Sequence, residues 1–171
     1  MSKILVGIVM GSDSDLEVMK ESAKILDKFE ISYEMNIISA HRTPNMAHKY
    51  AVNAEGLGLE VIIAGAGGAA HLAGVIGSLT PLPVIGVPMH TPGLGGIDSL
   101  LSIAQMPSGV PVATMAIGKA GAKNAAILAA QILGAKCSDT RVKVIAYKKE
   151  ISEQVMEKNK ILKREQGVLN D

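Results

Sequence analysis

The chain has few aromatic residues, a single cysteine and almost no net charge. Aromatic residues make up 2% of the 171 residues, and 17 Lys and Arg against 16 Asp and Glu leave a net charge of +1. Proteins that bind nucleic acids neutralise phosphates with a basic surface and stack bases on aromatic rings, so we expect no nucleic-acid partner. One cysteine, Cys137, excludes an internal disulfide and any zinc site built from cysteine pairs.

Charge is nearly absent from the middle of the chain, where Asp98 is the only charged residue between positions 61 and 118. Prolines and glycines interrupt this stretch, so no run of about 20 strongly apolar residues is left to span a membrane. The apolar run at residues 4–10 lacks the charged region and cleavage site of a signal peptide and is typical of a strand. We therefore expect a cytoplasmic protein without a membrane partner.

Short apolar runs alternate with segments of helical periodicity, the pattern of a parallel sheet covered by helices. The apolar runs predict strands buried on both faces, at residues 4–10, 33–38, 61–64, 84–87 and 112–115. The periodic segments predict helices at residues 16–29, 44–57, 70–78, 97–105 and 120–133. Together they predict a doubly wound α/β domain.

The composition changes at Lys148, since residues 148–171 contain six basic and five acidic residues. We assign residues 1–147 to a nucleotide-binding α/β domain and residues 148–171 to a charged C-terminal helical tail of the same domain. The tail is either a solvated helix or a helix that packs on a neighbouring copy. The charge-poor middle of the chain favours self-association, because neutral surface is easily buried against another copy.

Ligands of doubly wound sheets bind outside the carboxyl ends of the strands, and the first two predicted strands are followed there by polar residues. Gly-Ser-Asp-Ser-Asp at residues 11–15 leads into a helix, whose N-terminus favours a phosphate. Its two aspartates would repel a phosphate, so at least one of them either holds ribose hydroxyls or caps the helix. Ser-Ala-His-Arg-Thr-Pro at residues 39–44 joins a histidine suited to proton transfer to an arginine suited to phosphate, unless it is an ordinary surface turn. We expect Thr43 to be the N-cap of the following helix.

The third and fourth predicted strands are followed by loops of small residues. Gly-Ala-Gly-Gly-Ala-Ala-His at residues 65–71 lets the backbone approach a ligand, although tight helix packing without a ligand also explains it. It matches Gly-x-Gly-x-x-Ala, but the acidic residue that a dinucleotide site requires about 20 positions later is missing. The Gly- and Pro-rich residues 89–96 are typical of a lid, and we expect Asp98 and Ser99 to cap the next helix.

Four segments resemble the N5-carboxyaminoimidazole ribonucleotide mutases of purine (IMP) biosynthesis. They are residues 11–15, 39–44 and 65–71, and Gln-Met-Pro-Ser-Gly-Val-Pro at residues 105–111. The resemblance covers about residues 3–135. It implies a homo-octamer of three-layer α/β/α domains, flavodoxin-like or Rossmann-like, here with an extra C-terminal helix. It also implies an isomerase without a metal or organic cofactor, which moves a carboxylate from the exocyclic nitrogen of aminoimidazole ribonucleotide to ring carbon C4.

The resemblance further implies roles for individual residues. His41 is the expected catalytic acid and base, which protonates the exocyclic nitrogen as carbon dioxide leaves and later removes the C4 proton. The glycine loop at residues 65–70 is expected to hold the carbon dioxide. The expected substrate-binding residues are Ser12, Ser14, Asp15, Ser39, Arg42, Gly67, Gly68, Ala69, Ala70 and His71.

Arg42 and the glycine loop resemble the mutase class, because the class that carboxylates aminoimidazole ribonucleotide directly with carbon dioxide has lysine after the histidine. Two features depart from the pattern: Ala73 stands where proline is usual, and residues 89–96 are unusually rich in Gly, Pro and His. Direct carboxylation remains the alternative function. A dinucleotide- or flavin-binding protein and a nucleotide-binding module without turnover are further alternatives.

Overall fold

The structure, a computed structural model, describes residues 3–166 and 168. Strands and helices alternate along this part of the chain. The strands are β1 (Val6–Met10), β2 (Tyr33–Ile37), β3 (Val61–Ala66), β4 (Val84–Pro88) and β5 (Ala113–Thr114). The helices are α1 (Leu16–Lys28), α2 (Pro44–Asn53), α3 (Leu72–Gly77), α4 (Ile97–Ala104), α5 (Lys119–Gly134) and α6 (Ser138–Glu165). A short 3₁₀ turn, Asp13–Asp15, precedes α1.

The strands form one parallel sheet in the order β2-β1-β3-β4-β5. β1 and β3 lie side by side within the sheet. β2 lies on the outer side of β1, and β4 and β5 follow on the outer side of β3, so the strand order reverses between β1 and β3. At such a switch point the connections leave towards opposite faces, and a crevice opens outside the carboxyl ends of the strands. The predicted doubly wound α/β fold is confirmed.

Helices cover both faces of the sheet and produce two separate cores. Val6, Ile8 and Met10 of β1 point into the core that contains α1, α5 and the start of α6. Val9, between them, points to the opposite core, which contains α2, α3 and α4. This period-two alternation follows from strand geometry, and both faces are apolar because both are covered.

The two outer strands differ from the prediction. β2 is only partly buried, because it lies at the edge of the sheet and carries the polar side chains of Glu34 and Asn36. β5 is limited to two residues, although the apolar run predicts four. Helix α2 ends at Asn53 rather than at residue 57, because the chain continues in turns up to Gly58, whose φ is +92°.

Helix α6 is the longest helix in the described part of the chain, and only its first part is packed. It has 28 residues, a length of about 42 Å at 1.5 Å per residue. Val144 is buried, Tyr147 contacts Phe29 edge-on, and Glu150 accepts a hydrogen bond from Lys28. Every residue from 151 to 165 is exposed. None of the helices in the described ranges has the length and apolar character that crossing a membrane requires.

Candidate active site

A cavity of about 450 Å³ opens at the carboxyl edge of the sheet. Its walls come from the segments that follow β1, β2, β3 and β4, so the topology brings together four stretches that are distant in sequence. The lining residues are Gly11, Ser12, Ser14, Asp15, Ser39, Ala40, His41, Arg42, Ala66, Gly67, Ala69, Ala70, His71, Leu72, Met89, His90 and Thr91. The cavity therefore lies where parallel α/β sheets bind their ligands.

Two histidines meet in this cavity. His41 Nε2 lies 2.7 Å from His71 Nδ1, which is hydrogen-bond distance. The rings are edge to face, with centroids 4.9 Å apart and planes at 81°. One of the two nitrogens carries the shared hydrogen and the other accepts it. This contact fixes the orientation of the His41 ring while the ring itself stays exposed to the cavity.

Arg42 is held beside His41 by the loop after β2. Its Nη2 donates to the Gly11 carbonyl oxygen at 3.1 Å, and its backbone N–H donates to Ser39 Oγ at 3.1 Å. A guanidinium has five N–H donors, so most of them are left for a ligand.

Thr43 closes the same loop and occupies the predicted N-cap position of α2, but its side chain makes no capping hydrogen bond. Its Oγ1 donates to the Ser39 carbonyl oxygen at 2.9 Å and accepts from the Ser39 N–H at 3.0 Å. The hydroxyl is thus used on the preceding loop, and α2 begins at Pro44 without a side-chain cap.

The segment after β1 forms a chain of short-range hydrogen bonds. Ser12 Oγ accepts from the Ser14 N–H and donates to Asp13, and Ser14 Oγ donates to Asp15 Oδ1 at 3.2 Å. Partial burial is the main cause that raises the pKa of the Asp15 carboxyl above its ordinary value, against the lowering effect of the Ser14 hydrogen bond. The Asp15 side chain makes no capping hydrogen bond to α1. Asp15 lines the cavity, where its carboxyl can accept hydrogen bonds from a ligand.

The glycine loop after β3 is attached to α4. Gly68 has a φ of +66°, and its N–H donates to Ser99 Oγ at 2.9 Å. Gly68 is the one predicted site residue that does not line the cavity, because its peptide group points to α4. The other ten predicted residues lie around the cavity.

Asp98 and Ser99 do not cap α4, and this prediction is wrong. Gly96, in the left-handed conformation, occupies the cap position. Asp98 Oδ1 instead accepts from Thr91 Oγ1 at 2.7 Å, and Ser99 contacts Gly68. Asp98 thus contacts the loop that leads into α4, and Ser99 contacts the glycine loop after β3.

Several lining residues have no role that the sequence predicts. Met89, His90 and Thr91 line the cavity from the segment after β4, which carried only a lid prediction. Residues 106–111, from the last segment of the family resemblance, line a separate surface cleft. Within the residues that the structure describes, no three His, Cys, Asp or Glu side chains are grouped to hold a metal ion.

Comparisons with known proteins show which family this chain resembles. The protein-family model described as AIR carboxylase matches residues 5–154. An N5-carboxyaminoimidazole ribonucleotide mutase of Pyrococcus horikoshii is 62% identical over 160 residues, which cover 94% of this chain and 89% of the relative. A protein of the same name from Thermotoga maritima is 61% identical over 153 residues, covering 90% and 88%.

A solved structure adds a likeness in three dimensions. The crystal structure of Treponema denticola PurE superposes with a TM-score of 0.85 at 30% sequence identity. The match covers 93% of this chain and 98% of that one. The likeness therefore extends over nearly the whole length of both chains.

Proposed function

The chain belongs to the AIR carboxylase family, and from this premise we infer that it is an isomerase of purine biosynthesis. It converts N5-carboxyaminoimidazole ribonucleotide to 4-carboxy-5-aminoimidazole ribonucleotide, the reaction named for its relatives. The observation that carries the mechanism is the contact of His41 with His71 at 2.7 Å, inside a cavity that also holds Arg42. The cavity therefore contains both a proton donor, His41, and an anion-binding group, Arg42.

The first step releases carbon dioxide from the substrate. The bond between the exocyclic nitrogen and the carboxyl carbon breaks, its electron pair stays on nitrogen, and protonated His41 supplies the proton. Aminoimidazole ribonucleotide, carbon dioxide and neutral His41 result. His71 supports this step by holding the His41 ring through the 2.7 Å contact.

The second step recaptures the same carbon dioxide. Ring carbon C4, which is nucleophilic in the aminoimidazole, attacks carbon dioxide and forms the new carbon–carbon bond. Neutral His41 then removes the C4 proton, which restores the aromatic ring and returns His41 to its starting state. One histidine serves both steps because the first leaves it without the proton that the second delivers.

The remaining cavity residues match the rest of the substrate. Arg42, Ser12 and Ser14 suit its phosphate, and the Asp15 carboxyl suits ribose hydroxyls as an acceptor. Gly67, Ala69 and Ala70 form a wall of small residues against which carbon dioxide fits. Ser39 holds the loop of Arg42 through its own hydroxyl.

Arg42→Lys is expected to raise KM by about 10-fold or more and to change kcat much less. Lysine keeps the charge but loses the planar fork that grips a phosphate and the hydrogen bond to Gly11. Steady-state kinetics measure both constants. Arg141→Lys, the same change at an exposed position outside the cavity, is the matched control. An unchanged KM for Arg42→Lys would remove Arg42 from phosphate binding.

Two parallel reactions without ATP distinguish the mutase from the alternative, a direct carboxylase. One contains freshly made N5-carboxyaminoimidazole ribonucleotide, and the other contains aminoimidazole ribonucleotide with modest bicarbonate. We expect rapid product formation in the first reaction only. Efficient product formation in the second would establish direct carboxylation, and no product in either would contradict both functions.

We further propose that the chain assembles as a homo-octamer. Helix α6 supports this assembly, because its exposed part carries large apolar side chains that each leave at least two-fifths of their surface exposed. These are Ile151, Val155, Met156, Ile161 and Leu162. A helix that projects apolar residues into solvent gains stability by packing on a second copy.

Replacing Ile151 and Val155 together by Lys is expected to yield a smaller assembly than the parent octamer. The two side chains are one turn apart on one face of α6, and burying lysine charges there opposes association. Sedimentation velocity measures the mass. Glu153→Lys on another face of α6 is the control. An octamer that survives the double substitution would show that α6 does not hold the assembly.

We place the enzyme in the cytoplasm, because its substrate is a charged, phosphorylated ribonucleotide that does not cross membranes unaided. Fractionation of cells that produce the protein at native level tests this. The activity is expected in the cytosolic fraction, and its recovery with membranes would contradict the proposal.

A further inference from the structure

Helix α4 contacts the glycine loop through two hydroxyl groups. Ser99 Oγ accepts the Gly68 N–H at 2.9 Å. Ser102 Oγ donates to the Asp98 carbonyl oxygen at 2.7 Å and also lies 3.2 Å from the Gly68 carbonyl oxygen. Helix α4 therefore holds the Gly68 N–H through Ser99, while the one hydroxyl hydrogen of Ser102 is shared between the carbonyl oxygens of Asp98 and Gly68.

The attached residue is the one that shapes the loop. Gly68 has a φ of +66°, a conformation that residues with a side chain rarely adopt. Its neighbours Gly67 and Ala69 line the cavity, while Gly68 itself does not. The hydrogen bonds thus lie behind the wall and fix its curvature without contacting the ligand.

The start of α4 also holds the loop after β4. Asp98 Oδ1 accepts from Thr91 Oγ1 at 2.7 Å, and Thr91 Oγ1 accepts from the Gly96 N–H at 3.1 Å. Thr91 lines the cavity as well. One helix end therefore anchors two adjoining walls of the cavity, although none of its own residues lines that cavity.

We propose that Ser99 and Ser102 are positioning residues that keep carbon dioxide in the cavity between its release and its recapture. This inference rests on the function proposed above. Release needs only the proton of His41, whereas recapture competes with escape of carbon dioxide past the wall. A looser glycine loop therefore changes the division between product and escaped carbon dioxide more than the rate at which substrate is consumed.

The test compares Ser99→Ala with Ser22→Ala in the full chain. Ser22 and Ser99 are both completely buried, and Ser22 Oγ donates to the Ala122 carbonyl oxygen at 2.7 Å, between α1 and α5 and away from the cavity. Each variant is given freshly made N5-carboxyaminoimidazole ribonucleotide. The fraction recovered as aminoimidazole ribonucleotide is measured against the C4-carboxylated product, with the spontaneous decay of the substrate subtracted.

We expect Ser99→Ala to raise the fraction recovered as aminoimidazole ribonucleotide several-fold. Ser22→Ala is expected to give the same fraction as the parent. Both variants are expected to lose comparable thermal stability, since each loses one buried hydrogen bond. An unchanged division in Ser99→Ala, or an equal increase in Ser22→Ala, would overturn the inference. A parent that forms no C4-carboxylated product would instead overturn the proposed function.

Two further variants answer the question if Ser99→Ala does not fold. Ser102→Ala removes the second hydroxyl from a position that is only partly buried. Gly68→Ala adds a Cβ that meets no atom within 4 Å, so its effect is confined to the φ of the loop. Both variants are expected to increase the fraction recovered as aminoimidazole ribonucleotide. If these variants give the same fraction as the parent, the inference is overturned.

Discussion

His41→Asn is expected to lower kcat by about 10²–10⁴-fold, the usual contribution of a general acid–base group, with a much smaller change in KM. Asparagine is close to histidine in size and its amide can still contact His71, but it cannot take up and return a proton. The loss therefore falls on both steps of the reaction. Steady-state kinetics on N5-carboxyaminoimidazole ribonucleotide measure it.

His48→Asn is the matched control for this substitution. His48 lies on α2, is exposed and does not line the cavity, so its replacement is expected to leave kcat unchanged. If His41→Asn kept activity within a few-fold of the parent, another group would have to move the proton. The central role given to the histidine pair would then be wrong.

Gly121→Ala is expected to lower the free energy of unfolding by about 3 kcal/mol or more, at the upper end for overpacked sites. A Cβ at Gly121 would lie 1.6 Å from the Ala116 carbonyl oxygen and 2.7 Å from its carbonyl carbon. The neighbour is backbone, so no side-chain rotation relieves the overlap. The segment between Ala116 and Gly121 is also hydrogen-bonded to the sheet, since the Gly118 N–H donates to the Pro88 carbonyl oxygen at 2.8 Å.

Chemical denaturation monitored by circular dichroism measures this loss, with Gly93→Ala as the control. Gly93 has no atom within 4 Å of an added Cβ and has an ordinary φ. Its substitution is expected to change stability by no more than about 0.5 kcal/mol, as at most surface positions. If Gly121→Ala unfolded at the same denaturant concentration as the parent, the start of α5 would be less tightly packed than the structure describes.

The general architecture could be predicted from the sequence because two strong rules apply to it. Apolar runs alternating with helical segments predict a parallel sheet, and ligands bind at the carboxyl ends of its strands. From these rules, one edge of the sheet is predicted to contain residues 11–15, 39–42 and 67–71. The structure places these segments around one cavity.

The contacts of the hydroxyl groups could not be predicted in this way. Thr43 stands at the N-cap position of α2 and Ser99 in the first turn of α4, but their hydroxyls bind Ser39 and Gly68 instead of the helix ends. A short hydroxyl side chain can satisfy a nearby helix end or another loop equally well. Only the packing of α4 and of the β2 loop decides between them, and sequence spacing contains no record of that packing.

The edge strands show the same limit for backbone structure. The apolar run at residues 112–115 predicts a full strand, yet β5 has two residues because pairing with β4 ends after Thr114. Strand length depends on the neighbouring strand as well as on local composition. In contrast, β1, β3 and β4 have neighbours on both sides and are buried throughout.

The measurement that tests the central claim most directly follows the carboxyl carbon. N5-carboxyaminoimidazole ribonucleotide is made with a heavy carbon isotope in its carbamate carboxyl and converted in a solution of unlabelled bicarbonate. If the chain releases and recaptures the same carbon dioxide, the label appears in the C4 carboxylate of the product. Product carrying unlabelled carboxylate would mean that carbon dioxide comes from solution, and the mutase account would be wrong.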